Sequence, residues 1–215
     1  PDNAVNDTLI GQLQETALKR FRDAKLPVQD RVGIGQALGH LGDPRLGMEQ
    51  EDRWLPLPAG TFQMGTAKPG KRIEEWFHEK MVPVHPVTLT NGLWMAKYPI
   101  TNQEFAPFIE EGGYETEALW HPEAWDWLRL DRAQQEAWFE VLQKRDGTIQ
   151  EDWKEFFLPE TEPHWWRDGK FGLRQRNQPV VGINWYEAQA WCRWLTNRWH
   201  REATLAPPWW TADMQ

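Results

Sequence analysis

The sequence predicts an α+β fold, with two capped helices set against a few short strands and much loop between them. Three observations carry this. First, Thr101-Asn102-Gln103-Glu104 and Asn184-Trp185-Tyr186-Glu187 both read as capping boxes opening amphipathic helices. Second, apolar stretches near residues 55–64, 82–98 and 179–183 are short and bounded by turn residues. Third, residues 115–178 look irregular apart from one helical stretch.

The elements follow in order. Leu9, Leu13, Ala17 and Phe21 recur with helical spacing, which predicts a helix over 8–24, stopped by Pro27. A second helical pattern carries Val28, Val32, Leu38 and Leu41. Gly42 is placed as its C′ residue, with Asp43-Pro44 beyond. Together residues 1–50 make a helical hairpin, which resembles one HEAT-like repeat over Arg31-Val32 and Ala37 to Arg45. A single repeat cannot bury its own face, so it is expected to dock on the next domain or on further repeats.

From Trp54 the texture changes, and residues 51–215 read as a second domain. Leu55 to Gly65 looks like a short strand. Val82, Val84, Val87 and Leu89 alternate, with Pro83 and Pro86 pushing that strand to an edge or splitting it. Trp94 to Tyr98 looks like another strand. Phe105, Phe108 and Ile109 form the stripe of the helix begun at Thr101, which Pro107 should kink or shorten. Gly112-Gly113-Tyr114 is a turn. A helix near 131–145 shows Ala137, Trp138, Val141 and Leu142 on one face, ended by Asp146-Gly147. Pro179 to Ile183 reads as a short buried strand. Ala188, Trp191, Cys192, Leu195 and Trp199 share one face of the last helix.

Composition limits the function classes. The 215 residues carry a net charge of −8, and residues 101–150 hold 4 basic against 11 acidic groups. No basic face shows, which argues against nucleic-acid binding by counterion release. No run approaches the length of a membrane span. Pro1-Asp2-Asn3 opens without a secretory leader, so a cytoplasmic location is expected. The single cysteine can form neither an internal disulfide nor a Cys-rich metal site. Cys192, on an apolar helix face, is expected to be a buried small hydrophobe. The six histidines include no i, i+4 pair and no H-E-x-x-H.

The unusual number is 16 tryptophans, 15 of them between Trp76 and Trp210. Such density suits an aromatic core between irregular loops, or a stacking surface. Trp120, Trp125 and Trp127 are the candidate binding residues. On an extended segment Trp125 and Trp127 would share a face, and their neighbours Glu117, Glu123, Asp126 and Arg129 suit a partly wet surface. The alternative is that these rings plug the gap beneath a long loop.

The string Trp54-Leu55-Pro56-Leu57-Pro58-Ala59-Gly60-Thr61-Phe62-Gln63-Met64-Gly65 resembles the opening of a formylglycine-generating-enzyme (sulfatase-modifying factor) domain. Pro83 to Leu89, then Lys97 to Phe105, are similar to its next segments, as are Gly112-Gly113-Tyr114 and Trp120. Asn177 to Leu195 resembles its second signature, and the helical lead-in is similar to what precedes the domain in bacterial members. The resemblance covers residues 54–200 and implies a C-type-lectin-like fold. It also implies that the family's copper, held by two late cysteines, and its late calcium segment lie beyond this sequence, which would be truncated at its C-terminus. No catalytic, metal or cofactor residue is therefore expected in this chain.

Two functions of different class are thus expected. The first is a non-catalytic module that recognises a protein or small ligand. The second is a fragment of a copper-dependent oxidase that converts a substrate cysteine to formylglycine, with its catalytic half missing. A carbohydrate binder using exposed tryptophans is a third, weaker idea. The expected partner is a protein, a small ligand or the remainder of the same protein, with no nucleic acid and no membrane.

Overall fold

A computed structural model describes residues 2–67, 83–154 and 160–212. Val82, His78 and Trp76 lie outside the described residues. The chain divides into two compact units, Asp52–Tyr98 and the rest (Pro1–Glu51 with Pro99–Gln215). Helices and small antiparallel sheets are mixed along the chain, so the α+β class holds.

The larger unit begins with helices α1 (Asp2–Phe21) and α2 (Val28–Leu41), which pack as a hairpin. Gln14 ties them: its Nε2 donates to the carbonyls of Leu41 (2.9 Å) and Gly42 (2.7 Å). These are helix-end carbonyls that would otherwise lack a partner. Gly42 stops α2 with φ 83°, a conformation that suits glycine. Docking is one-sided. Leu38 is buried, and Asn177 Nδ2 donates to the Gly35 carbonyl at 2.7 Å, while Leu9, Leu13, Val28 and Val32 stay exposed. A side chain added at Gly39 would overlap the Asn177 amide and force it to shift.

The described residues of the smaller unit form two antiparallel two-stranded sheets in succession. Strand β1 (Trp54–Leu57) pairs with β4 (Leu93–Ala96), and β2 (Gly60–Met64) pairs with β3 (His85–Leu89). Trp54 faces Ala96 and Leu57 faces Leu93 in the first ladder; Gly60 faces Leu89 in the second. Two residues separate the ladders on one side and three on the other, so the register slips by one, as at a β-bulge. Gly92 sits at the slip. A Cβ there would lie 3.2 Å from the Leu57 carbonyl oxygen.

Beyond Tyr98 the chain returns to the larger unit. Helix α3 (Asn102–Glu110) starts at the expected capping box. Glu104 Oε2 accepts from both the backbone N–H and the hydroxyl of Thr101, at 2.8 and 2.9 Å. Helix α4 (Pro122–Leu128) occupies what looked like an extended segment. Pro122 stands at its first position, where its missing N–H costs nothing. Helix α5 (Arg132–Arg145) opens on an Asp131–Gln134 capping box. Its buried face centres on Phe139, so the expected face is corrected: Ala137 is exposed and Val141 is 60% exposed.

Pro179 to Ile183 is not a strand. Only a bridge joins Thr101 and Pro179, flanked by Asn102 N–H to the Gln178 carbonyl and Val180 N–H to that of Ile100, both 2.9 Å. Helix α6 (Trp185–Arg201) starts where Asn184 Oδ1 accepts from the N–H groups of Tyr186 and Glu187. Its buried stripe is Glu187, Ala190, Trp191, Trp194, Leu195 and Trp199. Cys192 falls just off that stripe and is exposed, which corrects its expected burial.

The core between α3 and α6 is largely aromatic. Phe105 stacks on Trp191 with planes 8° apart, and Phe108 touches Tyr114, Trp120 and Trp194 at ring separations of 5.3 to 6.5 Å. Two of the buried indoles bond their N–H groups across the core. Trp120 donates to the Gly113 carbonyl and Trp194 to Glu111, both at 2.8 Å.

Candidate functional site

The three tryptophans singled out from sequence do not form one surface. Trp120 is 5% exposed and packs against Phe108 and Tyr114, so it is a core ring and its proposed surface role is corrected. Trp125 and Trp127 are half-buried on α4. Two residues apart on a helix they point about 200° apart, not to a shared face. Arg129 lies over the Trp125 ring at 4.1 Å, and Trp127 meets Trp138 of α5 edge-on at 6.0 Å. The charged neighbours that suggested a wet surface include the cation that covers one of the rings.

Two other constellations stand out. The first is buried. Tyr114 Oη donates to Glu187 Oε1 at 2.5 Å, and Glu187 Oε2 accepts from the Asn184 N–H at 2.7 Å. Burial pushes the Glu187 carboxyl above the usual carboxylate range, with the bonds from Tyr114 and Asn184 opposing it. Burial and the neighbouring Glu187 charge push the Tyr114 phenol well above its ordinary value. This pair pins the Gly112-Gly113-Tyr114 turn to the first turn of α6. It has little access to solvent and serves packing.

The second constellation is open. A cavity of about 620 Å³ lies between α2 and the segment around 164–176, lined by His40, Trp166, Arg167, Leu173, Arg174 and Arg176. That volume falls within the range of small-molecule sites. The local fold explains why this irregular segment holds its shape. Asn102, buried at the start of α3, donates through Nδ2 to the carbonyls of Phe171 (2.8 Å), Gly172 (2.9 Å) and Gln175 (3.0 Å). Leu173 N–H bonds back to the Trp166 carbonyl at 2.9 Å, and Gln103 N–H donates to the Arg176 carbonyl at the same distance. Gly172 passes so close to the Trp166 carbonyl that no side chain fits there. The backbone is thus tied down, while Leu173, Arg174 and Arg176 are exposed.

The charges in the cavity are uneven. Arg167 is matched by a two-pronged ion pair with Glu162 (2.6 and 2.8 Å). Arg174 and Arg176 have no carboxylate partner among the described residues, and none of the described lining residues is acidic. Sequence reasoning missed this site. Its only linear signal was Leu173-Arg174-Gln175-Arg176 following Trp165-Trp166, which carries no recognised spacing.

The single cysteine does not fit a two-thiolate copper site. Copper(I) favours soft thiolates, and one cysteine cannot supply a pair. Although the residue is exposed overall, desolvation of its thiol raises the Cys192 pKa and so favours the protonated form. Among the described residues, no group of three or more His, Cys, Asp or Glu side chains converges. Among them, too, no helix is long and apolar enough to cross a membrane.

Residues 44–206 match the model of the sulfatase-modifying factor enzyme 1-like domain. The chain is 31% identical over 157 residues to a Bos taurus protein named inactive C-alpha-formylglycine-generating enzyme 2, covering 71% of this chain and 47% of that protein. It is 27% identical over 155 residues to the formylglycine-generating enzyme of Mus musculus, covering 70% of this chain and 38% of that one. It is also 27% identical over 154 residues to that of Mycobacterium tuberculosis, covering 69% and 48%. The chain thus spans about half the length, or less, of these relatives.

Proposed function

We propose, on the premise that this chain belongs to the family of sulfatase-modifying factor enzyme 1-like domains, that it is a non-catalytic recognition module. A C-type-lectin-like scaffold here would hold irregular segments rigid and present their side chains to a ligand or protein partner. The observation that carries the reading is the donor set: one cysteine, exposed on α6, where copper-dependent oxidation of a substrate cysteine would need two. The likeness to relatives named as inactive supports it. So does the 164–176 segment, whose backbone is fastened by Asn102 while Leu173, Arg174 and Arg176 are exposed. Fold membership alone would not decide the matter, because one scaffold hosts many functions.

The likeness to the named enzymes of Mus musculus and Mycobacterium tuberculosis favours a second reading. In it, this chain is part of an oxidase whose cysteine pair lies outside the 215 residues. One experiment tests the non-catalytic reading for the chain as it stands. The protein is incubated with copper(I), oxygen and a cysteine peptide, and aldehyde is read by hydrazide labelling and mass spectrometry. No aldehyde is expected. Aldehyde formed by the wild type and lost in Cys192→Ser would overturn the recognition reading.

A further inference from the structure

We propose that the cavity between α2 and the 164–176 segment is an oxyanion site, taking an organic anion with an apolar body. The inference deepens the recognition reading and rests on it. Arg174 and Arg176 are two residues apart on a backbone held by Asn102 and Gln103, so both cations face one cavity at little further entropic cost. Like charges brought together repel unless an anion joins them. The protein as a whole is acidic, with a net charge of −8, and could have placed carboxylates there. Glu162 is spent on Arg167.

The chemistry of the lining names the ligand class. Guanidinium groups offer planar paired donors that match carboxylate and phosphate oxygens, and His40 adds a third nitrogen-bearing side chain. Trp166 and Leu173 supply the apolar wall. A volume of about 620 Å³ exceeds what an inorganic anion needs and suits an anion carrying a ring or short chain. The negative field of the whole molecule disfavours long polyanions, so a small ligand with one anionic group fits best.

The test uses 2-naphthyl phosphate, 2-naphthoate and neutral 2-naphthol as probes, titrated against the full 215-residue chain by calorimetry. At least one of the two anions is expected to bind about tenfold or more tightly than naphthol. The tighter of them identifies phosphate or carboxylate as the natural group. Arg174→Gln with Arg176→Gln should weaken anion binding by about tenfold or more, leaving naphthol binding and thermal stability unchanged. Both side chains are exposed, so the variant is expected to fold. Arg132→Gln, on α5 and outside the cavity, should change nothing. Equal binding of anions and naphthol, no binding of either anion, or anion binding unaffected by the double substitution would overturn the oxyanion site while leaving the recognition reading intact. Aldehyde formation in the peptide assay would remove that reading without touching the anion titration.

Discussion

Replacing Tyr114 by Phe removes one oxygen from the core and little else. The ring keeps its contacts with Phe108 and Trp120 at 5.3 and 5.4 Å. What is lost is the donor to Glu187, in a place where Tyr114 is 3% and Glu187 6% exposed, so water cannot readily replace it. A hydrogen bond to a charged group is worth about 1.5–3 kcal/mol. For a chain of this size each kcal/mol moves the melting temperature by about 2–4 °C, so a fall of about 3–12 °C is expected. The same pair sets a pH signature. Burial raises the folded pKa of Glu187 above its ordinary 4.5, so the folded protein holds that proton more tightly than the unfolded chain. Its contribution is therefore complete below about pH 4.5 and fades as pH rises through the folded value. Glu187→Gln abolishes this titration, so the stability of wild type relative to Glu187→Gln should decline with rising pH. In the Tyr114→Phe background the decline should extend to higher pH, because a bond that opposed the shift is gone. The assay is urea unfolding followed by tryptophan fluorescence between pH 4 and 8. A Tyr114→Phe melting temperature within 1 °C of wild type (roughly half a kcal/mol or less), together with a flat difference between wild type and Glu187→Gln, would refute the reasoning.

Other outcomes follow from the same geometry. Asn184→Ala strips the acceptor for two N–H groups at the start of α6 and should cost about 0.5–2 kcal/mol by chemical denaturation, as should Thr101→Ala at α3. Asn102→Ala removes the amide that ties three carbonyls of the 171–175 stretch to α3, of which those of Gly172 and Gln175 keep only a local backbone donor. It should cost at least about 2 kcal/mol and accelerate amide exchange around Leu173, read by hydrogen-exchange mass spectrometry. Titration with copper(I) should give no stoichiometric thiolate charge-transfer band; a band lost in Cys192→Ser would contradict the donor-set argument.

Legibility followed the range of the forces involved. Helices with local signals were readable: Gly42 and Pro27 bound α2, and both capping boxes stand where their side chains demanded. The family was readable because its short strings keep their order. Contacts between distant residues were not. The hold of Asn102 on carbonyls about 70 positions away leaves no periodic trace. Nor does the meeting of Arg174 and Arg176 with His40 in one cavity. The α4 error came from reading Trp125 and Trp127 by two-residue alternation, although Pro122 at a first helical position was the local signal to weigh. On α6 the stripe was placed one step too far round: the spacing admitted Cys192, but packing took Trp194 and Ala190 instead.

The way Asn102 grips its segment has a consequence for how this surface can change over time. It holds the chain by main-chain oxygens, which every amino acid possesses, and not by the side chains at 173, 174 and 176. Identity at those three positions is thereby uncoupled from the path of the backbone. Exchanges there would alter what the surface selects while the scaffold stays still, whereas a single insertion or deletion between 171 and 175 would pull a carbonyl from the amide and collapse the arrangement. Mutational libraries confined to those three positions should therefore give mostly folded proteins with differing ligands, a division of labour between fixed frame and replaceable tips.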